Sequence, residues 1–461
     1  MSHEMIEVIE EGLLPANTIQ GRPQPGMSLA ERMKRYNVPG VSIALIDRSA
    51  IAGAQGYGVE QAGEDSPVTA RTRFQAASIS KPVTALAVLQ LVQNGTLDLD
   101  ADVNRYLRSW QVPDNEHTQE RKVTLRGLLS HTAGLGVHGF PGYAADEAVP
   151  SLCQILDGQP PANTQPVRVE TVPGSQWSYS GGGYIVMQQV LEDITGKPFP
   201  ALMRSTVLDP LQMEHSTFEQ PLPAHHAGEA ATAHRGDGLP IDGKWHTYPE
   251  MAAAGLWTTP TDLARYVIEI IQSSAGRSNR LLSLEITSEM LTPVLNNHGL
   301  GPRVEKIRDS LQYSHGGGNA GFRCFMVGYP GLEQGAVVMT NGDNGDVLMM
   351  EIMRGIARAF GWPHFHPAEK TIVPVDPGLY HKYEGDYRLV GSPEYGSLIR
   401  REHERLIMES LPDGVCYELH PASETQFFSE EHEETFDFVE DENGRVNTLM
   451  IASQWKMERV K

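Results

Sequence analysis

The sequence predicts an α+β chain in which an antiparallel sheet with a helical region is followed by a small antiparallel β-barrel. Three observations carry this reading. Strand-like runs stand at both ends of a long first region, helical periodicity fills its middle, and short alternating segments follow a proline-rich joint. The chain has 461 residues, 40% hydrophobic and 21% charged, which is ordinary globular composition for two or three domains. The joint divides it into domains at 1–365 and 371–461.

In the first region, Ser28 and Glu31 stand at capping-box spacing and open a helix through Tyr36, which Pro39-Gly40 must end. Val41 to Ile46 and Ile51 to Tyr57 read as a hairpin around a turn at Asp47 to Ala50. From Ser80 to Gln93 the spacing of Val83, Leu86, Leu89 and Val92 is helical, with Pro82 in the first turn and Gly95 past the end. A further helix covers Tyr184 to Ile194 and stops at Gly196. Another starts at Thr259-Pro260, with Leu263, Tyr266, Val267 and Ile270 facing inward. Strands return at Gly321 to Tyr329 and Gly335 to Thr340, around Pro330-Gly331.

The joint holds Pro363, Pro367, Pro374 and Pro377, which favour extended backbone and donate nothing to a ladder. Beyond it, eight short alternating segments between Tyr383 and Val460 suit a small barrel. This tail carries 19 acidic and 9 basic side chains, so its exterior is acidic.

The net charge of -21 argues against nucleic acid and anionic membrane as partners, because binding phosphate needs clustered Lys and Arg. No run approaches the roughly 20 apolar residues of a spanning helix, and Met1 to Gly12 lacks a secretory pattern, so a cytoplasmic location is expected. Cys153, Cys324 and Cys416 are far apart, without paired or ligand-like spacing. His364 and His366 lie in the proline joint and are not read as a metal site; neither metal nor cofactor is expected.

The sharpest chemical feature is Ser78-Ile79-Ser80-Lys81 at the mouth of the Ser80 to Gln93 helix. Three positions apart on one turn, Ser78 and Lys81 share a face, which is the arrangement of a nucleophile and its base. The helix N-terminus also aims unpaired amides at an oxyanion forming beside Ser78. To accept a proton near neutrality, Lys81 needs desolvation or a neighbouring positive field. Two more segments fit this chemistry. Tyr179 precedes the glycines Gly181 to Gly183, read as a loop allowing close backbone approach. His315 is followed by Gly316, Gly317 and Gly318 beside a strand, suited to presenting an amide to a substrate oxygen.

In order and spacing these residues resemble the serine β-lactamase, penicillin-binding protein and esterase superfamily, whose motifs are S-x-x-K, Y-x-N and K-T-G or H-x-G. Leu128 to Leu135, Pro173-Gly174 and Ala253 to Trp257 match as well, and the resemblance spans about residues 25 to 365. It implies a β-lactamase/transpeptidase-like domain in which Ser78 attacks an acyl carbonyl while Lys81 and Tyr179 share its proton. The amides of Ser78 and Gly318 would form the oxyanion hole, with Gly317 and Gly181 beside the substrate and His315 supporting Tyr179 or orienting substrate. The tail is similar to the lipocalin-like barrel of some peptidases in the superfamily, with Tyr383 to Tyr387 as its marker. His131, within Ser130-His131-Thr132, is read as structural.

The resemblance implies an acyl-enzyme hydrolase acting on small peptides, including D-residue peptides, or on carboxylic esters; a homo-oligomer is compatible with it. One departure matters. Gly181 stands where relatives carry Asn, which argues against efficient β-lactam turnover. A β-lactamase or DD-peptidase is the second reading, and a non-catalytic ligand-binding or sensor protein the third.

Overall fold

The computed structural model describes residues 3–460. The chain forms two compact units, one of residues 39–234 and 240–345, the other of 3–38, 235–239 and 346 to the C-terminal end.

The first unit is built on a six-stranded antiparallel sheet. Its strands are Gly40–Asp47 (β1), Ala50–Gly58 (β2), Arg303–Ile307 (β3), Ser310–Asn319 (β4), Phe322–Tyr329 (β5) and Gln334–Thr340 (β6), in the order β2-β1-β6-β5-β4-β3. Strand β1 is an unbroken run of buried residues up to Ile46, as a central strand covered on both faces requires. Arg48 and Ser49 both have positive φ, +51° and +56°, which is the backbone of a tight hairpin turn matched to strand twist. Gly321, expected as a strand residue, instead turns the chain between β4 and β5 at φ +73°. The glycines after His315 lie within β4 itself, paired with β5 through Gly317 opposite Cys324. Strand β3 pairs with β4 only as far as Ser314. Among the described residues, the segment from His315 to Asn319 therefore has a strand partner on one side alone.

Five helices surround the motif residues: Ser80–Gln93 (α1), Leu125–Ser130 (α2), Gly181–Thr195 (α3), Met251–Ala254 (α4) and Pro260–Ser274 (α5). Helix α1 is buried on all sides from Ser80 through Leu89, so it runs through the core rather than along the surface. Helix α5 begins as expected, with the Thr259 hydroxyl accepting the Asp262 amide at 3.1 Å and Pro260 in the first turn. Helix α3 begins three residues earlier than its apolar pattern indicates. Ser180 caps the Gly183 amide at 3.0 Å, and the glycine triplet expected as a loop forms the first helical turn.

In the second unit, the eight segments close into an antiparallel barrel between Gly385 and Arg459, with strands in sequential order. Tyr383, Tyr387, Phe427 and Phe438 form a buried aromatic cluster, with Tyr383 and Phe438 ring centroids 4.7 Å apart. The N-terminal residues group with this unit, whereas the proline joint alone places them with the first domain. The reason is long-range pairing: Asn17–Ile19 runs parallel to Ala368–Lys370, and Arg32 and Tyr36 both hydrogen-bond the buried Glu351. The short helix Leu29–Arg35 starts after Ser28 as expected, but the Ser28 side chain makes no cap bond, so the capping box does not form.

Candidate active site

The turn that carries Ser78 is held under strain. Ala77, buried, adopts φ +46°, a conformation that a residue with a Cβ occupies only when its surroundings enforce it. The enforcement is visible. The Ser80 hydroxyl donates to Ala77 O at 2.6 Å and accepts the Leu256 amide at 3.0 Å, while the Ala76 amide donates to Leu256 O at 2.8 Å. From Thr72 to Leu89, Ser78 is the one residue that is not buried.

Lys81 is 2% exposed, and its Nζ lies 3.0 Å from Ser78 Oγ and 2.9 Å from Ala253 O. Among the described residues no carboxylate forms an ion pair with it. Its Nζ sits 5.0 Å from the ring centroid of Tyr179 and 5.7 Å from that of Tyr184. Residues 253–256 thus belong to the site: Ala253 O receives Lys81, and Ala254 O receives Asn319 Nδ2 at 3.1 Å.

Strand β4 passes directly against this turn. A Cβ on Gly317 would lie 2.3 Å from Ala76 O and 2.6 Å from Cys324 Sγ, so only glycine permits the approach. Cys324, a buried thiol pushed up in pKa by desolvation, donates to Ala76 O at 3.0 Å and ties β5 to the same turn. Gly318 is exposed next to it. His315 is buried, and its Nδ1 donates to Gly316 O at 2.6 Å. Burial is the main cause that depresses its pKa, to about 3, so the imidazole is neutral.

Tyr179 is half-buried, with its ring 6.4 Å from that of His315. Around it lie aromatic groups to which the motifs assign no catalytic part: His131 at 4.2 Å, His138 at 4.9 Å and Trp177 at 6.4 Å. His298, pushed down to about 4 by burial, packs edge-on against His131 at 5.2 Å. The sequence reads His131 as structural; its neighbour in space is Tyr179.

Gly181 behaves differently from the other glycines named. Its amide donates to His138 O at 3.0 Å, and a Cβ there would lie 2.8 Å from the Phe140 ring and 3.1 Å from His138 O. Its amide is therefore already spent, and Phe140 fills the space a side chain would need. Ser78, Lys81, Tyr179, His315 and Gly317 converge, whereas Gly181 lies against His138 and Phe140.

Glu250 is a further residue that the sequence did not announce. It is 0% exposed, among the described residues its carboxyl oxygens have no hydrogen-bond partner beyond its own backbone, and desolvation raises its pKa to about 8. It sits at the start of α4, whose last two carbonyls serve Lys81 and Asn319. Among the described residues, no group of three or more His, Cys, Asp or Glu side chains is arranged to hold a metal.

The Beta-lactamase family profile matches residues 28–358. The chain belongs to the beta-lactamase family. It is therefore a serine hydrolase of that fold. This family member is 23% identical over 392 residues to penicillin-binding protein 4* of Bacillus subtilis, covering 81% of this chain and 84% of that one. It is 25% identical over 360 residues to the unguisins hydrolase ungD of Aspergillus violaceofuscus, covering 68% and 59%. Among solved structures, it resembles the octameric penicillin-binding protein homologue from Pyrococcus abyssi, with TM-score 0.62, 20% identity, and 93% and 98% of the two chains covered. It also resembles the D-amino acid amidase from Ochrobactrum anthropi SV3, with TM-score 0.58, 20% identity, and 77% and 99% covered. Both structural likenesses concern the fold. No helix among the described residues is long and apolar enough to cross a membrane.

Proposed function

We propose that this beta-lactamase family member cleaves amides of small peptides, D-residue peptides included, or carboxylic esters, through an acyl-enzyme on Ser78. The observation that carries the reading is the 3.0 Å approach of Lys81 Nζ to the one accessible residue of an otherwise buried stretch. An uncharged Lys81 can donate to Ala253 O while its lone pair accepts the Ser78 proton. Ser78 Oγ then bonds to the substrate carbonyl carbon, and the carbonyl oxygen takes negative charge. The amides of Ser78 and Gly318 are assigned as its donors. Tyr179 carries the proton to the leaving amine or alcohol, whose bond to the acyl carbon breaks. Water repeats the attack on the ester, and Ser78 recovers its proton. His315, neutral, cannot supply a positive charge and is given the role of an orienting group beside Tyr179.

The D-amino acid amidase lends weight to amide substrates, the unguisins hydrolase to hydrolysis, and the Pyrococcus homologue to self-association. The β-lactamase and DD-peptidase reading is weaker, because Phe140 and His138 occupy the space beside Gly181. The test is steady-state turnover of a nitrophenyl acylate and of matched D- and L-aminoacyl amides. Ser78→Ala and Lys81→Ala should abolish it in folded protein, and Tyr179→Phe should lower it about 10²-fold. Full activity in Ser78→Ala would reject the proposal.

A further inference from the structure

We infer that His131 is a positioning residue for Tyr179, holding its phenol in the geometry that proton transfer needs. This rests on the proton-handling role given to Tyr179 above. Three independent contacts lead from His131 to the residue on either side of Tyr179 and to Tyr179 itself. His131 O accepts the Ser178 amide at 2.9 Å. His131 Nδ1 accepts the Ser180 amide at 3.1 Å. Its ring stacks on the Tyr179 ring at 4.2 Å with 30° between planes.

The backbone of His131 is shaped for this. It ends helix α2 in the left-handed conformation, φ +60°, ψ +35°, which turns its carbonyl and imidazole toward the same segment. Helix α2 is in turn fixed to α3, where the Tyr184 hydroxyl donates to Leu129 O at 3.1 Å. Ser180, whose amide His131 holds, is also the cap of α3 and donates its hydroxyl to Gly136 O at 2.8 Å. Tyr179 is thus suspended between two residues whose amides are both bound by His131. Rotation of its ring away from Lys81 would break the stack as well.

The Nδ1 contact also fixes the tautomer. An Nδ1 that accepts leaves the proton on Nε2, and protonation of the ring would turn the accepting nitrogen into a donor facing another donor. Burial, with the nearby Lys81 and histidines, drives His131 far below the ordinary histidine range, so the clamp stays intact through neutral pH. Among the described residues, the groups facing it include His298, Lys81, His315 and His138, with the rings of Tyr179, Tyr184 and Trp177 packed against it.

Asparagine is the conservative replacement: it tolerates the left-handed backbone, and its side-chain oxygen can accept the Ser180 amide. The experiment measures kcat and KM for the activated ester in four full-length variants. His131→Ala should lower kcat roughly 10- to 100-fold with KM within about 2-fold, as expected when a reacting group is misplaced rather than a binding group lost. His131→Asn should recover most of that loss. In a Tyr179→Phe background, His131→Ala should cost less than about 3-fold, because the group it positions is gone. An equal cost in both backgrounds, or no cost in either, overturns the inference. Should His131→Ala fail to fold, nitrogen chemical shifts of the wild-type histidines decide instead: His131 protonated on Nδ1 contradicts the clamp, and on Nε2 supports it. Inactive wild type, with Ser78 unreactive, would instead count against the proposed function.

Discussion

Glu250 shows how a single residue sets a pH dependence. Its pKa is raised by burial from the ordinary carboxyl value of 4.5 to about 8, so between those values the native state keeps a proton that the unfolded chain releases. Stability must then fall as pH rises through that window, by about 1.4 kcal/mol per pH unit, and level off above it. Glu250→Gln removes this dependence. Urea midpoints should show the variant gaining on wild type steadily from pH 5 to about pH 8 and no further above it, and a gap that stays constant from pH 5 to pH 8 would contradict the burial of this carboxyl. The sequence offers no sign of Glu250, because a glutamate before a short alanine run reads as a solvated side chain; only the packing of distant segments around α4 buries it. Ser78 and Lys81 were legible for the opposite reason: their relation is local, fixed by one helical turn.

Among the helices and strands, the first turn of α3 and the segment at 136–140 are fitted to each other. Gly181→Asn should destabilise the protein by about 1–3 kcal/mol, the usual cost of overpacking, since its Cβ meets the Phe140 ring at 2.8 Å. Pairing it with Phe140→Ala should recover part of that loss, which thermal or urea unfolding of the single and double variants would reveal. Additive losses would show that Phe140 is not what excludes the side chain. Strands β1, β2, β5 and β6 were readable because apolar runs and a turn signal are local. The start of α3 and the placing of the glycines within β4 were not. Glycine reads as loop wherever it clusters, while here its missing Cβ serves close packing: of Gly181 on Phe140 and of Gly317 on Ala76.

Across the full chain, the eight-stranded barrel was legible from alternation alone, but the attachment of the N-terminal residues to its unit was not. Asn17 explains why. Its side chain donates to Ser429 O at 2.8 Å and to His432 O at 2.5 Å, partners more than 400 residues away in sequence, and no local pattern encodes such a contact. Asn17 is 1% exposed, so Asn17→Ala should strip its partner from the buried Ser429 carbonyl and the half-buried His432 carbonyl and cost about 1–3 kcal/mol. Hydrogen exchange should show the loss in the amides of 17–20 and 368–370; unchanged protection there would contradict the tether.

Whether Ser78 is an activated nucleophile is tested most directly by treating the full-length protein with a fluorophosphonate and mapping the adduct by mass spectrometry. One adduct is expected, on Ser78, abolished in Ser78→Ala and strongly slowed in Lys81→Ala. No adduct, or one on another residue at the same rate in both variants, would contradict the assignment of Ser78 as the nucleophile.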